Sequence, residues 1–198
     1  HLEFPGRKVI QYALFLPLAM PAFVAAYSWV ELLEFAGPVQ TFVRALMSWN
    51  SSRDYWFPNI RSLPGAILVL SLTLYPYVYL LARASFKELP ASGQDAARTL
   101  GLGFAQQFLG VALPQARPAI AAGTAIVMME TINDFGTVDY FAVQTLTTGI
   151  FSLWLESYNA GAAAQLACFA VMVVAALLLV EKIGRKGARF NKSGRQVA

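Results

Sequence analysis

Four long apolar runs, separated by polar or basic stretches, organise this chain. They are Val9 to Leu33, Leu63 to Ala82, Ala119 to Phe135 and Ala162 to Val180, each close to the ~20 residues a helix needs to cross hydrocarbon. No period-two alternation runs through them, so helices are the expected spanning elements, not barrel strands. Pro17 and Pro21 in the first run predict a kink whose freed carbonyls must be answered by neighbouring helices. The second run carries Pro76 between Tyr75 and Tyr77. The third opens on Ala121, Ala122, Gly123 and Thr124, small residues that let helices approach closely. The fourth ends in Glu181, Lys182 and a basic tail. The expected fold is an all-α polytopic membrane protein with about four spans.

Between these runs lie three stretches of different character. Residues 34–62 mix Gly37-Pro38, Trp49, Asn50, Trp56 and Pro58 with a short apolar patch, Val39 to Trp49, that contains Arg44. They predict an external loop with an interfacial helix, its tryptophans at headgroup depth. Residues 136–161 hold Asp139 and Glu156 but no Lys or Arg, and predict a second external loop with a re-entrant or interfacial turn. Residues 83–118 form a polar and basic elbow. There Ser92 and Asp95 are spaced as a capping box, starting a short helix whose small apolar side is Ala96, Ala97 and Leu100. Gly101 or Gly103 supplies a left-handed end. A second short helix, Phe104 to Ala112, places Phe104, Phe108 and Val111 on one face and is expected to stop at Leu113-Pro114 and Pro118.

Composition agrees with a membrane protein. The chain of 198 residues is 57% hydrophobic and 13% charged, with mean hydropathy +0.52, too apolar for an ordinary soluble domain. A net charge of +4 would suggest nucleic acid as a partner for a soluble protein, but the placement of the charges argues otherwise. Setting the start, the elbow and the tail on one side collects twelve of the 15 basic residues and leaves Arg44, Arg53 and Arg61 opposite. By the positive-inside rule the elbow is cytoplasmic. The single cysteine, Cys168, excludes a disulfide framework and reads as a buried or lipid-facing hydrophobe. The chain opens on its only histidine, His1, without signal-peptide architecture, and reads as a piece of a longer protein.

Enzymatic signatures are missing. No G-x-x-x-x-G-K-[ST] loop, H-E-x-x-H, C-x-x-C or G-x-S-x-G occurs, so the expectation is a chain that neither catalyses nor binds a cofactor. Ionisable groups at membrane depth remain. Glu130, well inside the third run, should face a bundle interior or wet cavity, either as part of a pathway or paired with a polar neighbour. Asp134 and Asp139 are expected at the external mouth, as pathway groups or as ordinary solvated carboxylates. Glu31 and Glu34 stand at the other external boundary.

The elbow carries a resemblance. Asp95-Ala96-Ala97, three residues, Gly101, nine residues, Val111, one residue, Leu113-Pro114 resembles the E-A-A-x3-G-x9-I-x-L-P signature of permease subunits of binding-protein-dependent ABC importers. Asp95 for Glu and Val111 for Ile are the two departures. The resemblance implies that Asp95, Ala96, Ala97, Arg98, Gly101, Val111, Leu113 and Pro114 couple to a separate ABC ATPase dimer. It also implies a periplasmic substrate-binding protein as partner and residence in the bacterial inner membrane. The stretches FPGRKVIQYALFLPLAMPAFVAAY, YWFPNIRSLPGAILVLSLTLYPYVYLLARASF and ETINDFGTVDYFAVQTLTTGIFSLW are most similar to the amino-terminal half of a ferric-iron importer permease. That is a type I fold of two fused homologous halves, so a second half is expected as a partner. Permeases for thiamine, sulfate or phosphonates share the architecture. Glu130, Asp134, Asp139 and Tyr140 could offer the oxygen ligands that ferric ion prefers. A secondary transporter using Glu130, or an assembly protein whose elbow lies on anionic lipid, are the readings from other classes.

Overall fold

Pro17 and Pro21 do more than kink the first apolar run: they break it. A computed structural model describes residues 5–89, 99 and 101–189 and, among them, every regular element is helical. α1 (Arg7–Ala13) follows a left-handed Gly6, a tight turn covers Leu16–Ala19, and α2 is Ala22–Leu33. Met20, just before Pro21, is extended at φ −114 and ψ 125, as the ring of a following proline demands. Within the break the Leu18 N–H turns to Phe15 O. The Leu14 carbonyl, freed from a helical partner, accepts instead from the Tyr75 hydroxyl at 3.1 Å.

The remaining elements are α3 (Pro38–Met47), α4 (Leu63–Lys87), α5 (Phe104–Asn133), α6 (Gly136–Tyr140), α7 (Leu146–Phe151, prolonged by a wide turn at Ser152–Glu156) and α8 (Ala160–Arg189). Among the described residues, three helices are long and apolar enough to cross a membrane: Leu63–Lys87, Phe104–Asn133 and Ala160–Ile183. A fourth crossing is possible by length if Arg7–Ala19 and Ala22–Met47, bent by 101°, are taken as one broken span. The chain divides into two compact units, His1–Pro76 with Thr131–Cys168 and Tyr77–Glu130 with Phe169–Ala198.

In the first unit the core is Ala26 and Val30 of α2, Ile60, Ala66 and Val69 of α4, and Phe141. Trp29, Leu33, Tyr140 and Val143 close over it. Gly65 brings the start of α4 onto the Ile60 carbonyl and the Phe141 ring, and Gly136 lets the Phe23 ring lie against the start of α6. Phe23 and Tyr140 then meet edge to face, centroids 6.0 Å apart.

In the second unit the expected stop at Pro114 does not occur, and the helix expected from Ala119 begins at Phe104. A wide π-type turn, Phe108–Ala112, lies just before Pro114, with the Leu113 N–H reaching back to Phe108 O. An inserted wide turn of this kind re-routes backbone pairing where a proline lacks its N–H, so the chain passes Pro114 and Pro118 without leaving the helix. α5 packs on α4 through Gly123, where a Cβ would lie 2.7 Å from Val78 Cα; Ala116, two turns earlier, is fully buried. Gly123→Leu is therefore expected to cost at least about 2 kcal/mol, read as a fall of roughly 4–8 °C in the melting temperature of the detergent-solubilised protein. An unchanged melting temperature would show that the two helices do not depend on this contact.

Candidate functional site

Two sets of residues carry the candidate chemistry, one at the elbow and one beside α2 and α6. Of the elbow residues, Asp95, Ala96, Ala97 and Arg98, with the expected cap Ser92, lie outside the described residues. Gly101 adopts φ 74, and none of the described residues stands within 4 Å of where its Cβ would be. Conformation, not crowding, is what requires glycine there. Of the two glycines proposed as a left-handed end, Gly101 is the left-handed one and Gly103 is extended at φ −66 and ψ 162; the helix they were expected to end lies outside the described residues.

The descent from Gly101 into α5 is held by two amides. The Gly103 N–H donates to Gln106 Oε1 at 3.1 Å, and Gln107 Nε2 donates to the Leu102 carbonyl at 2.6 Å. The Phe86 ring near the end of α4 meets Phe108 at 5.9 Å. Val111, Leu113 and Pro114 are half-buried; Val111 lies inside the wide turn, and Leu113 and Pro114 follow it directly. The described part of the signature thus sits on two backbone irregularities, a left-handed glycine and a π-type turn, ten positions apart from Gly101 to Val111.

The carboxylates have different fates. Glu130 is exposed on α5 and Asp139 is exposed on α6. Asp134 is half-buried and occupied: Oδ1 accepts from the N–H groups of Thr137 at 2.8 Å and Val138 at 3.2 Å, and Oδ2 accepts from Thr137 Oγ1 at 2.9 Å. Its carbonyl accepts from Thr147 Oγ1 at 2.7 Å, which ties α7 to the start of α6. Asp134, one residue before the N-cap Phe135, thus satisfies two N–H groups of the first turn of α6. The signal was present in the sequence as an aspartate three residues before Thr137. Among the described residues, no group of three His, Cys, Asp or Glu side chains gathers as a metal site would require.

Sequence reading missed Arg61, which no motif marks. Its Nε lies 3.1 Å from Glu34 Oε1, its Nη2 donates to the Tyr140 hydroxyl at 3.4 Å, and its guanidinium carbon stands 4.7 Å over the Tyr140 ring. Both members of the ion pair are about two-fifths exposed, so its stability value is small, on the order of 0–1 kcal/mol. Its geometric role is larger, because one planar side chain joins the end of α2, the loop before α4 and the end of α6. Burial pushes the Tyr140 phenol up, with Arg61 pulling in the other direction, and the hydroxyl stays protonated at neutral pH.

An all-helical chain with several membrane-length helices defines a polytopic membrane protein. The family model for the inner membrane component of binding-protein-dependent transport systems matches residues 1–186, and the chain belongs to that family. An Fe(3+)-transport system permease protein of Haemophilus influenzae, FbpB 2, is 29% identical over 178 residues, covering 90% of this chain and 30% of that protein. The sulfate transport system permease protein CysT of Salmonella typhimurium is 28% identical over 196 residues, 96% of this chain and 66% of that protein. The molybdenum transport system permease protein ModB of Escherichia coli is 24% identical over 185 residues, 90% of this chain and 77% of that protein. The chain thus spans about a third of the iron relative and about two thirds of the sulfate relative.

Proposed function

We propose that this chain forms part of the translocation pathway of an ATP-driven importer and takes force from a separate ATPase dimer through a cytoplasmic elbow, residues 83–118. A periplasmic binding protein delivers the substrate to the opposite side, and a second permease half completes the pathway in the bacterial inner membrane. The observation that carries this reading is the backbone of the described elbow. Left-handed Gly101 turns the chain into a 30-residue helix, Phe104–Asn133, about 45 Å long at 1.5 Å per residue. Between Gly101 and that helix lie only Leu102 and Gly103, each tied to it by a side-chain amide, so a displacement applied at the elbow enters the helix over a short connection, as rocking a bundle between two states needs. ATP hydrolysis belongs to the partner, and Asp95 to Gly101 make the contact.

Ferric iron is the substrate of this reading, supported by the likeness to the iron permease along 90% of the chain. An oxyanion is the second reading, favoured by relatives named for sulfate and molybdenum, of which the chain covers the larger share. The test is ATP hydrolysis by the full-length permease reconstituted with its ATPase and its binding protein, presented with ferric iron, sulfate or molybdate. Stimulation by ferric iron alone is the expected result, and stimulation by an oxyanion alone transfers the assignment. Asp95→Lys should abolish the stimulation while the complex still assembles; wild-type stimulation in that variant would remove the elbow from the coupling path.

A further inference from the structure

α3 is an amphipathic helix turned inside out. Two of its three polar residues, Gln40 and Arg44, face the protein, with Thr41 exposed at the helix edge: Gln40 is only 6% exposed, donating to the Leu33 carbonyl at 2.7 Å and accepting from the Tyr55 hydroxyl at 2.6 Å. Arg44 donates to Phe35 O at 2.7 Å and to Tyr55 at 3.1 Å, and covers the Phe35 ring at 4.0 Å. Arg44 Nη2 donates to Thr41 on the helix itself at 3.1 Å. The opposite face carries Phe42, Ala45 and Leu46, with Phe42 69% and Leu46 67% exposed, spaced i, i+3, i+4 as one stripe.

We infer that α3 lies flat in the lipid headgroup boundary with Phe42, Ala45 and Leu46 in the acyl region, and that the occupant of this face is the bilayer. Three observations favour lipid over a protein partner. The helix is pinned in depth, since Gln40 bonds Leu33, the last residue of α2, and Gly37 packs so closely on the carbonyls of Glu31, Leu32 and Glu34 that a Cβ there would collide. Only four residues, 34–37, separate α2 from α3, so α3 starts no more than about 18 Å from where α2 ends. The exposed stripe offers no hydrogen-bonding group, whereas protein interfaces, even at their cores, mix polar with apolar surface. Trp56, 86% exposed, and Trp49, stacked on Tyr55 at 5.0 Å, flank the helix as aromatics do at a membrane boundary.

The consequence is mechanical. A helix held in the boundary on one face and bonded to the end of α2 on the other fixes the depth of that corner while other helices move.

Spin labels test this directly. In a Cys168→Ser background of the full-length permease, reconstituted with its ATPase in phosphatidylethanolamine–phosphatidylglycerol vesicles, Phe42→Cys, Leu46→Cys and the milder Ala45→Cys are each labelled with a nitroxide. Collisions with oxygen, which concentrates in lipid, should exceed collisions with a water-soluble nickel chelate at all three positions, with the reverse at Arg53→Cys. Exclusion of both reagents from the three positions would assign the face to a protein partner and overturn the proposal. Preferential access of the nickel chelate would place it in water and overturn it as well.

Discussion

Gly65→Ala should lose the folded permease, or lower its melting temperature by roughly 6–12 °C, the equivalent of about 3 kcal/mol or more. The added methyl would fall onto the Ile60 carbonyl oxygen and lie 3.0 Å from Phe141 Cε1. Neither neighbour can move cheaply. The carbonyl is backbone, and Phe141 is 1% exposed within the core, where rotamers are fixed by close packing. Gly110→Ala is the contrast, because nothing stands within 4 Å of its Cβ position. There, removing a helical glycine should leave the melting temperature level or raise it, by up to about 1 kcal/mol. Thermal unfolding in detergent, read on both variants, separates crowding at Gly65 from a general intolerance of glycine replacement. Equal behaviour of the two would mean that the α4 start is not packed as described.

Long apolar helices were readable because hydrocarbon imposes length and composition together: the run from Ala162 to Val180 lies wholly within α8, and Leu63 to Ala82 within α4. Prolines were read less well, in both directions. Pro17 and Pro21, expected to kink, break the helix, since two lost N–H groups four apart leave no intact turn between them. Pro114 and Pro118, expected to stop a helix, lie within one. A π-type turn is set by backbone pairing and leaves no periodicity in the residues. A helix is present where one was predicted in residues 39–49, as Pro38–Met47, but its orientation was not readable, because Gln40 and Arg44 face inward only on account of the Leu33 and Phe35 carbonyls and Tyr55. Arg61 was invisible for the same reason: its partners Glu34 and Tyr140 are 27 and 79 residues away. The left-handed conformation of Gly101 was readable, since glycine is the residue that adopts it without strain.

Gly101→Val should uncouple ATP hydrolysis from transport while leaving the long helices folded. At φ 74 a β-branched side chain is strained by roughly 1–3 kcal/mol, so the variant relieves the strain by leaving the left-handed region. That single change redirects the chain entering Leu102 and Gly103 and pulls against the Gly103–Gln106 and Leu102–Gln107 hydrogen bonds. Among the described residues, nothing stands within 4 Å of the missing Cβ to be pushed aside. A stability defect and a coupling defect can therefore be told apart. The expected pattern is a melting temperature within a few degrees of wild type, a complex that still assembles, and stimulated ATP hydrolysis reduced at least about tenfold, the kinetic equivalent of ~1.4 kcal/mol. Gly101→Asn supplies the control, since asparagine tolerates the left-handed conformation far better than valine and should restore most of the stimulation. If valine and asparagine were equally active, the direction the chain takes at residue 101 would not matter to coupling, and force would have to enter α5 from elsewhere.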